Sequence, residues 1–281
     1  MLQPMSLSLW PISTVQLEVD GKISTRKKHP KSTHKIIPMM TIRRSDTLGT
    51  SHSGGQILRC YFAFADYQDP AHTHEGRLRA VNNATLLPRT SYQIGPETAV
   101  DIVTWVRSGT LTTAVDDFPA EDIRAKGLHL ISTGTGCSTL QWKAGEQGAS
   151  FIQFWFHPDI EGTTPAQEKR PSFSEYEDGG FQIIASGFPE DDPEEQETSV
   201  EGAPIALNAR ARLLHAAIPS REGAAYSTTP GRDLYFLVVS GCVTIEGETL
   251  HEGDAVALES VTELTVIAKE DSEVLLADVA S

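Results

Sequence analysis

Two stretches decide the fold of this chain: "DIVTWVRSGTLT" at 101–112 and "DLYFLVVSGCVT" at 233–244. Five residues coincide in one register, pairing Asp101 with Asp233, Val106 with Val238, Ser108 with Ser240, Gly109 with Gly241, and Thr112 with Thr244. Each copy is a β-branched and aromatic run that reaches Ser-Gly, where glycine permits a positive φ and the chain is expected to reverse. Writing the same strand and turn twice indicates the duplication of one structural unit.

Each copy is also followed by a related hairpin, "IRAKGLHLI" after the first and "LHEGDAVAL" after the second. Other runs rich in β-branched and aromatic residues lie between Gly, Pro and Asn turns, at a spacing typical of barrels or sandwiches rather than of alternating strands and helices. The predicted strands are 57–64, 78–81, 102–106, 128–131, 151–156, 234–239, 255–258 and 264–268. The sequence therefore predicts an all-β protein built from two small barrels.

Two further segments lie between these predicted strands. "LNARARLLHAAI" at 207–218 has helical propensity, yet its residues also alternate as in a strand, and we favour the strand. "GFPEDDPEEQETSVEG" at 187–202 is acidic and broken by prolines, which predicts a solvated linker or loop between the two halves, with the charge run 190–197 in solvent.

Composition narrows the class of function. The formal net charge of −15 argues against direct binding of nucleic acid, which needs a basic face, and favours a small molecule or a protein partner. No run of 18 apolar residues occurs, so no membrane span or membrane partner is expected. Three cysteines at 60, 137 and 242 are too few and too scattered for a disulfide framework, and a cytoplasmic location is expected.

Residues 1–40 differ in charge from the rest. They hold six Lys/Arg and two acidic residues, a net charge of +4. The other residues therefore carry a net charge of −19, which gives the total of −15. Four prolines interrupt them, and they lack the apolar stretch of a secretory signal. We expect residues 1–45 to be a disordered basic tail or the product of a start assigned too early, with Met40 as the natural beginning.

An ordered set of motifs resembles the pirin family: "CYFAFADYQDP" at 60–70, "LRAVNNATLLP" at 78–88, the strand at 101–111, "STGTG" at 132–136 and "FQIIAS" at 181–186. The second half is similar to the C-terminal cupin of the same proteins. The resemblance covers about residues 50–281 and implies a bicupin, two cupin (double-stranded β-helix, jelly-roll) barrels packed face to face. It places a pirin-type cupin domain at 46–186 and a second cupin domain at 203–281.

The resemblance also implies a divalent, iron-type metal in the first barrel, held by three histidines and one glutamate. Some pirin-like proteins resemble quercetin dioxygenases, which open a flavonol ring, and others act as transcriptional co-regulators. Here the four ligand positions read Gly95, Glu97, Thr139 and Gln141, so none of the family's ligands is retained. We expect no metal and no cofactor. These residues with Asp101 are interpreted as the polar floor of a vacant pocket that binds a small molecule, and the alternative is that they have no role in binding.

Other residues offer weaker signals. "HTHEG" at 72–76 is similar to the start of a cupin metal site, but it lies upstream of the expected ligand pair and is interpreted as a polar loop. Cys137 follows the "TGTG" turn near the mouth of the pocket and is a redox candidate if its thiol is exposed and its pKa lowered; structural burial is the alternative. Hydrogen-bonded structural roles are expected for His129, His157, His215 and His251.

These observations predict a pirin-like bicupin without the metal site, a non-catalytic protein that binds a small ligand or a partner, with a redox response as a further hypothesis. The alternative is a metal-dependent oxygenase of the quercetin 2,3-dioxygenase type with an unconventional site. That site would use Glu97, Gln141, Asp101 or the His72–His74 pair.

Overall fold

β-strands form almost all of the regular structure in the part of the chain that is described. The computed structural model describes residues 39–171, 180–191 and 204–281. The first eleven strands are β1 (Met39–Arg43), β2 (Gly49–Ser53), β3 (Gln56–Cys60), β4 (Leu78–Leu86), β5 (Ser91–Ile94), β6 (Asp101–Val115), β7 (Glu121–Arg124), β8 (Leu128–Ser132), β9 (Leu140–Phe156), β10 (Ala166–Arg170) and β11 (Gln182–Ser186). The remaining nine are β12 (Ile205–Ala206), β13 (Ala211–Ile218), β14 (Gly223–Ser227), β15 (Arg232–Ser240), β16 (Cys242–Ile245), β17 (Glu248–His251), β18 (Ala255–Glu259), β19 (Glu263–Ala268) and β20 (Ser272–Ala280). Two 3-10 helices are described, Ser45–Thr47 and Pro189–Asp191.

The first barrel is organised by two long strands, β6 and β9. Its sheet runs in the order β10-β8-β6-β9-β4-β3-β2, with β5 paired to β9 and β7 paired to β6. The first part of β6 pairs with β8 and with residues 151–156 of β9, whereas residues 111–115 pair with residues 140–144 of β9. Because β6 and β9 bend between these two zones, they contribute to both walls of the barrel.

The Ser-Gly of the repeated motif bends the chain and does not reverse it, so the predicted reversal is wrong. Gly109 has φ +79° and lies where the pairing of β6 with β9 shifts register, while β6 continues to Val115. Gly241 has φ +85° and stands between β15 and β16, which belong to different sheets. The glycine therefore turns the strand from one wall of the barrel to the other.

The second barrel repeats this plan with a seven-stranded sheet, β1-β18-β15-β20-β13-β11-β12, and a four-stranded sheet, β14-β19-β16-β17. The stretch left open between helix and strand forms β13 (Ala211–Ile218), as favoured. Each of the eight predicted strands overlaps an observed one. The fold is therefore all-β and of the bicupin type, as predicted.

Three apolar clusters follow from the alternation of side chains along the strands. One fills the first barrel, a second fills the second barrel, and a third joins the two. In β6, Ile102 and Val106 point into the first barrel, whereas Val103 and Trp105 belong to the shared cluster. The barrels thus pack face to face through alternate residues of the same strands that line their interiors.

The predicted tail and linker are only partly described. Residues 1–38 and 192–202 lie outside the described residues. Residues 39–45 contradict the tail prediction, because β1 pairs with β18 along Met39–Arg43 and the backbone N–H of Ser45 donates to Asp254 at 2.8 Å. At the start of the predicted linker, Phe188 is buried rather than solvated. Within the described ranges, no helix is long and apolar enough to cross a membrane.

Candidate functional site

Two of the segments predicted to form the pocket are adjacent at one end of the first barrel. The backbones of Glu97 and Cys137 exchange two hydrogen bonds, each 2.9 Å long. Gly95 has φ +132°, and a Cβ there would collide with the carbonyl of Ser138. Only a residue without a side chain fits this approach, so Gly95 fills a backbone role and provides no ligand atom.

Glu97 is engaged in an ion pair at this end of the barrel. Its Oε2 accepts a hydrogen bond from Arg79 Nη1 at 2.9 Å, and the two side chains are 21% and 34% exposed. The guanidinium carbon of Arg79 lies 5.3 Å from the ring centroid of Trp155, which packs in the barrel core. The carboxylate is therefore already neutralised by a cation held against an aromatic ring.

Thr139 and Gln141 do not face the interior, which corrects the predicted pocket floor. Gln141 donates to the side chain of Gln93 at 3.4 Å on the exposed side of the strand, and the backbone N–H of Thr139 donates to Asp116 at 2.7 Å. The residues of β9 that point inward here are Leu140 and Trp142, both fully buried. Thr139 and Gln141 therefore do not form the floor of an interior pocket.

Asp101 does not face the interior of the first barrel either. It is 1% exposed and lies on the opposite face of β6 from Ile102. Its Oδ2 accepts from the backbone N–H of Asn208 at 2.6 Å, and its Oδ1 accepts from Asn208 Nδ2 at 3.2 Å. Burial raises the pKa of Asp101, against the opposing hydrogen bonds from Ser132 and Asn208. Asp101 ties the segment before β13 to the first barrel and is not a pocket residue.

The redox hypothesis for Cys137 required an exposed thiol with a lowered pKa, and neither condition is met. The side chain is 1% exposed in the core of the first barrel. Burial raises the pKa of its thiol, and the charge of Asp116 raises it further. The structural alternative, burial, describes Cys137.

The described residues of the first barrel do not fit a metal held by three imidazoles and a carboxylate. No cluster of three or more His, Cys, Asp or Glu that could hold a metal ion occurs in residues 39–171, 180–191 and 204–281. The alternative pair is also unsuitable, because His72 Nδ1 lies 3.0 Å from Arg43 Nη1 and 3.1 Å from Asp69 Oδ2, while His74 is exposed. Apolar Leu140 and Trp142 offer no ligand of the required kind.

Instead, a row of four polar side chains crosses the inner face of the first barrel. The pairing of β4, β9, β6 and β8 sets them side by side in the order Asn82, Gln153, Thr104 and His129. All four are 0% exposed. Gln153 Nε2 donates to Thr104 Oγ1 at 3.3 Å, and Gln153 Oε1 accepts from Trp155 Nε1 at 3.4 Å. We call these four residues the polar row.

Several polar atoms of this interior have no hydrogen-bond partner among the described residues. They are both amide atoms of Asn82, Nδ1 of His129, the hydroxyl of Tyr92 and Nε1 of Trp142. The rings of Tyr92 and Trp142 stack with centroids 5.5 Å apart. A buried polar atom without a partner costs about 1–3 kcal/mol, so native proteins usually satisfy such atoms with water or a ligand.

The polar row and the stacked pair present uncharged groups at neutral pH. Burial lowers the pKa of His129 to about 4, so its imidazole is neutral at pH 7. Burial, and then the charges of Cys60 and Glu97, raise the pKa of Tyr92, so its phenol keeps its proton. Donors and acceptors of hydrogen bonds are therefore offered without a net charge.

The polar row was missed from the sequence, although its strands carried a local signal. In "LRAVNNATL" the inward positions of β4 alternate as Ala80, Asn82 and Ala84, a polar residue between two small ones on a buried face. His129 was interpreted as a lone structural histidine, since its neighbours in the row come from three other strands. Its Nε2 lies 3.4 Å from Thr113 Oγ1.

Comparisons with known proteins agree with this architecture. Residues 198–279 match the family described as the quercetinase C-terminal cupin domain. A Zymomonas mobilis protein named "Putative quercetin 2,3-dioxygenase" is 31% identical over 238 residues, covering 85% of this chain and 97% of that protein. A "Pirin-like protein" of Caulobacter vibrioides is 27% identical over 235 residues, covering 84% and 97%.

A solved structure gives the same fold. The nickel(II) complex of the bacterial pirin YhhW from Escherichia coli superposes with a TM-score of 0.74 at 24% identity, covering 86% of this chain and 99% of that one. At that level of identity the likeness concerns the fold alone. The nickel in the YhhW structure is therefore no evidence that the residues described above bind a metal.

Proposed function

This chain belongs to the pirin family, and we propose that it is a metal-independent binding protein whose first barrel takes a flat, neutral, hydroxylated ligand of the flavonol type. One observation carries the proposal: the buried polar atoms of Asn82, His129, Tyr92 and Trp142 lack partners among the described residues. A ligand with several hydroxyl and carbonyl groups would supply those partners and recover about 1–3 kcal/mol for each.

The chemistry of the interior supports this ligand class. The groups that await partners include donors and acceptors, since the amide of Asn82 supplies both. Stacked Tyr92 and Trp142 rings offer a flat apolar surface, which suits a planar aromatic molecule. The flavonol itself is taken from the names of the relatives, which refer to quercetin.

The rival function is a metal-dependent oxygenase of the quercetin 2,3-dioxygenase type. The names of the relatives favour it, and one of them, from Pseudomonas aeruginosa, is 30% identical over 242 residues. Oxygen activation by such an enzyme depends on a firmly held metal ion with open positions. Gly95, Leu140 and Trp142 provide no such ligands, which favours binding without a metal.

Redox sensing through Cys137 is not part of this function, because its thiol is buried and the pKa of that thiol is raised. We place the protein in the cytoplasm, where a reducing milieu suits three buried cysteines that form no disulfide.

The test is a titration of the full chain with quercetin in the presence of EDTA, followed by tryptophan fluorescence. Trp142 and Trp155 lie in the core of the first barrel, so a ligand bound there should quench them. We expect saturable binding with one site per chain, unchanged by the chelator. Asn82→Leu, which removes both amide atoms at similar volume, should weaken binding at least about tenfold, because each lost hydrogen bond is worth about 0.5–1.5 kcal/mol.

Asn83→Leu is the matched control, since Asn83 follows Asn82 on β4 and lies outside the core cluster of the first barrel. It should bind quercetin like the parent. The proposal is wrong if the parent shows no quenching, or if Asn82→Leu binds as well as Asn83→Leu. Loss of the flavonol absorbance in the presence of iron, manganese, nickel or copper would establish the dioxygenase instead.

A further inference from the structure

The second barrel has a charged cluster at one end of its interior. Four side chains occupy inward positions of β13, β14, β15 and β20, because each stands two residues along its strand from an apolar residue that packs inside this barrel. They are Arg212, Tyr226, Arg232 and Asp278. Asp278 is 0% exposed, and its Oδ2 accepts from Tyr226 at 2.6 Å and from Thr228 at 2.7 Å. Its Oδ1 is buried without a partner among the described residues. We call this cluster the arginine end.

Three side chains from residues 188–191 fill the arginine end. Asp191 accepts from Arg212 Nε and, at 2.9 Å, from Arg212 Nη2. Glu190 accepts from Arg232 Nη2 at 2.6 Å and from Arg212 Nη2 at 3.2 Å. The ring of Phe188 lies against both guanidiniums, with its centroid 3.6 Å from the Arg232 carbon and 5.0 Å from that of Arg212. An aromatic ring and two carboxylates thus share one pair of arginines.

This arrangement corrects the prediction that the acidic run is solvated from its start. Asp191 is only 10% exposed, and Arg212 and Arg232 are 12% and 10% exposed. The hydrogen bond from Arg232 lowers the pKa of Glu190. Burial would raise the pKa of Asp191, but hydrogen bonds from Arg212 and Ser186 hold it below its usual value. Both carboxylates are therefore charged at neutral pH.

The charge balance defines what else would fit here. With Glu190 and Asp191 in place, two guanidiniums face three carboxylates, including Asp278. Without them, two guanidiniums face only Asp278, which leaves one positive charge in a largely buried setting. A single carboxylate restores neutrality, and the planar fork of arginine pairs with it through two parallel hydrogen bonds. A ring attached to that carboxylate could stack on Arg232 as Phe188 does.

We propose that the arginine end of the second barrel is a binding site for a small aromatic carboxylate, and that Phe188, Glu190 and Asp191 stand in this structure where that ligand binds. The ligand's carboxylate pairs with Arg212, its ring takes the place of Phe188 over Arg232, and Tyr226 donates or accepts at the rim. This site is separate from the polar row and does not depend on the function proposed for the first barrel.

The test is a titration of the full chain with 4-fluorobenzoate, observed by fluorine NMR. The double variant E190Q/D191N keeps the shape of the segment but removes its charges, so it should bind the probe at least about tenfold more tightly than the parent. Adding R212Q to that variant should abolish binding. The neutral isostere 4-fluorobenzamide should not bind to either variant, because it cannot pair with the freed guanidinium.

Two further measurements keep the result decisive. E190Q alone alters a side chain that is 51% exposed, so it should fold, and it should bind the probe more tightly than the parent. E146Q is the matched control, because Glu146 is 74% exposed and also forms an ion pair with an arginine, Arg89. It should bind the probe like the parent. Equal affinity of E190Q, E190Q/D191N and E146Q for the probe would overturn the proposal. Competition by inorganic phosphate at the same concentration as 4-fluorobenzoate would also overturn it, since the site would then be a general anion site.

Discussion

Acidification should weaken the first barrel through one side chain, His129. Its imidazole is 0% exposed on β8, and burial lowers its pKa from 6.5 to about 4. Glu121 and Gln167 oppose this shift, and Lys169 adds to it. The unfolded chain thus binds a proton that the folded chain does not, so the stability is present above pH 6.5 and is lost as the pH falls towards 4.

The size of the effect follows from the same two values. A pH of 5 lies about 1.5 units below the pKa of the unfolded imidazole, which is then protonated, while the folded imidazole remains largely neutral. One unit corresponds to about 1.4 kcal/mol, so the free energy of unfolding should fall by about 2 kcal/mol between pH 7 and pH 5 on account of His129. For a domain of ordinary stability this is a large fraction of the total.

The contribution of His129 to the free energy of unfolding can be measured by urea denaturation at pH 7, 6 and 5. The parent and His129→Gln are compared at each pH. Glutamine keeps a hydrogen-bonding group and carries no titrating charge. Burial also lowers the pKa of His157, but that group is present in both proteins and cancels in the difference. The parent should therefore lose about 2 kcal/mol more than His129→Gln on going from pH 7 to pH 5.

His74→Gln supplies the control, because the same substitution is made at an exposed histidine. It should retain the parent's pH dependence. A parent-minus-variant difference for His129→Gln that stays constant within about 0.5 kcal/mol across this range would refute the reasoning, since a buried neutral imidazole cannot avoid this linkage.

Three further outcomes follow from other parts of the chain. An Ellman titration of the native protein should detect no reactive thiol, and three after unfolding in guanidinium, because Cys137 and the other two cysteines are buried. Gly241→Ala should cost at least about 2 kcal/mol more than Gly247→Ala by urea denaturation: the φ values are +85° and +86°, but a Cβ would collide with residues 271–272 only at Gly241. Asp101→Ala should destabilise the protein by about 2 kcal/mol, since it strips the buried partner from Asn208, whereas Asp233→Ala, which loses one exposed hydrogen bond to Ser281, should cost less than about 1 kcal/mol.

The repeat predicted the fold because a duplicated strand, bend and hairpin carry their own local geometry. It did not predict the partners of the repeated residues. Asp101 and Asp233 are equivalent in the sequence, yet Asp101 is buried against Asn208, 107 residues away, while Asp233 binds Ser281 at 2.7 Å near the surface. Such partners are set by tertiary contacts that no local pattern contains.

The error at Thr139 and Gln141 has a different origin. Counting from a glycine turn fixes a position but not the face of the strand on which it lies, and a shift of one residue moves every side chain to the other face. The alternation in "TLQWKA" at 139–144 already sets polar Thr139 and Gln141 against apolar Leu140 and Trp142. That alternation was the better guide to the interior.

The same alternation explains why a fold that persists says little about the chemistry inside it. In β8, Leu128 and Leu130 belong to the apolar cluster shared by the two barrels, whereas His129 between them faces the interior of the first barrel. Substitutions at the inward positions therefore leave the contacts that join the barrels in place. Those contacts in turn do not determine which residues line the interior. The architecture therefore constrains which residues pack between the barrels, and the function of such a protein depends on the residues at the inward face of each strand.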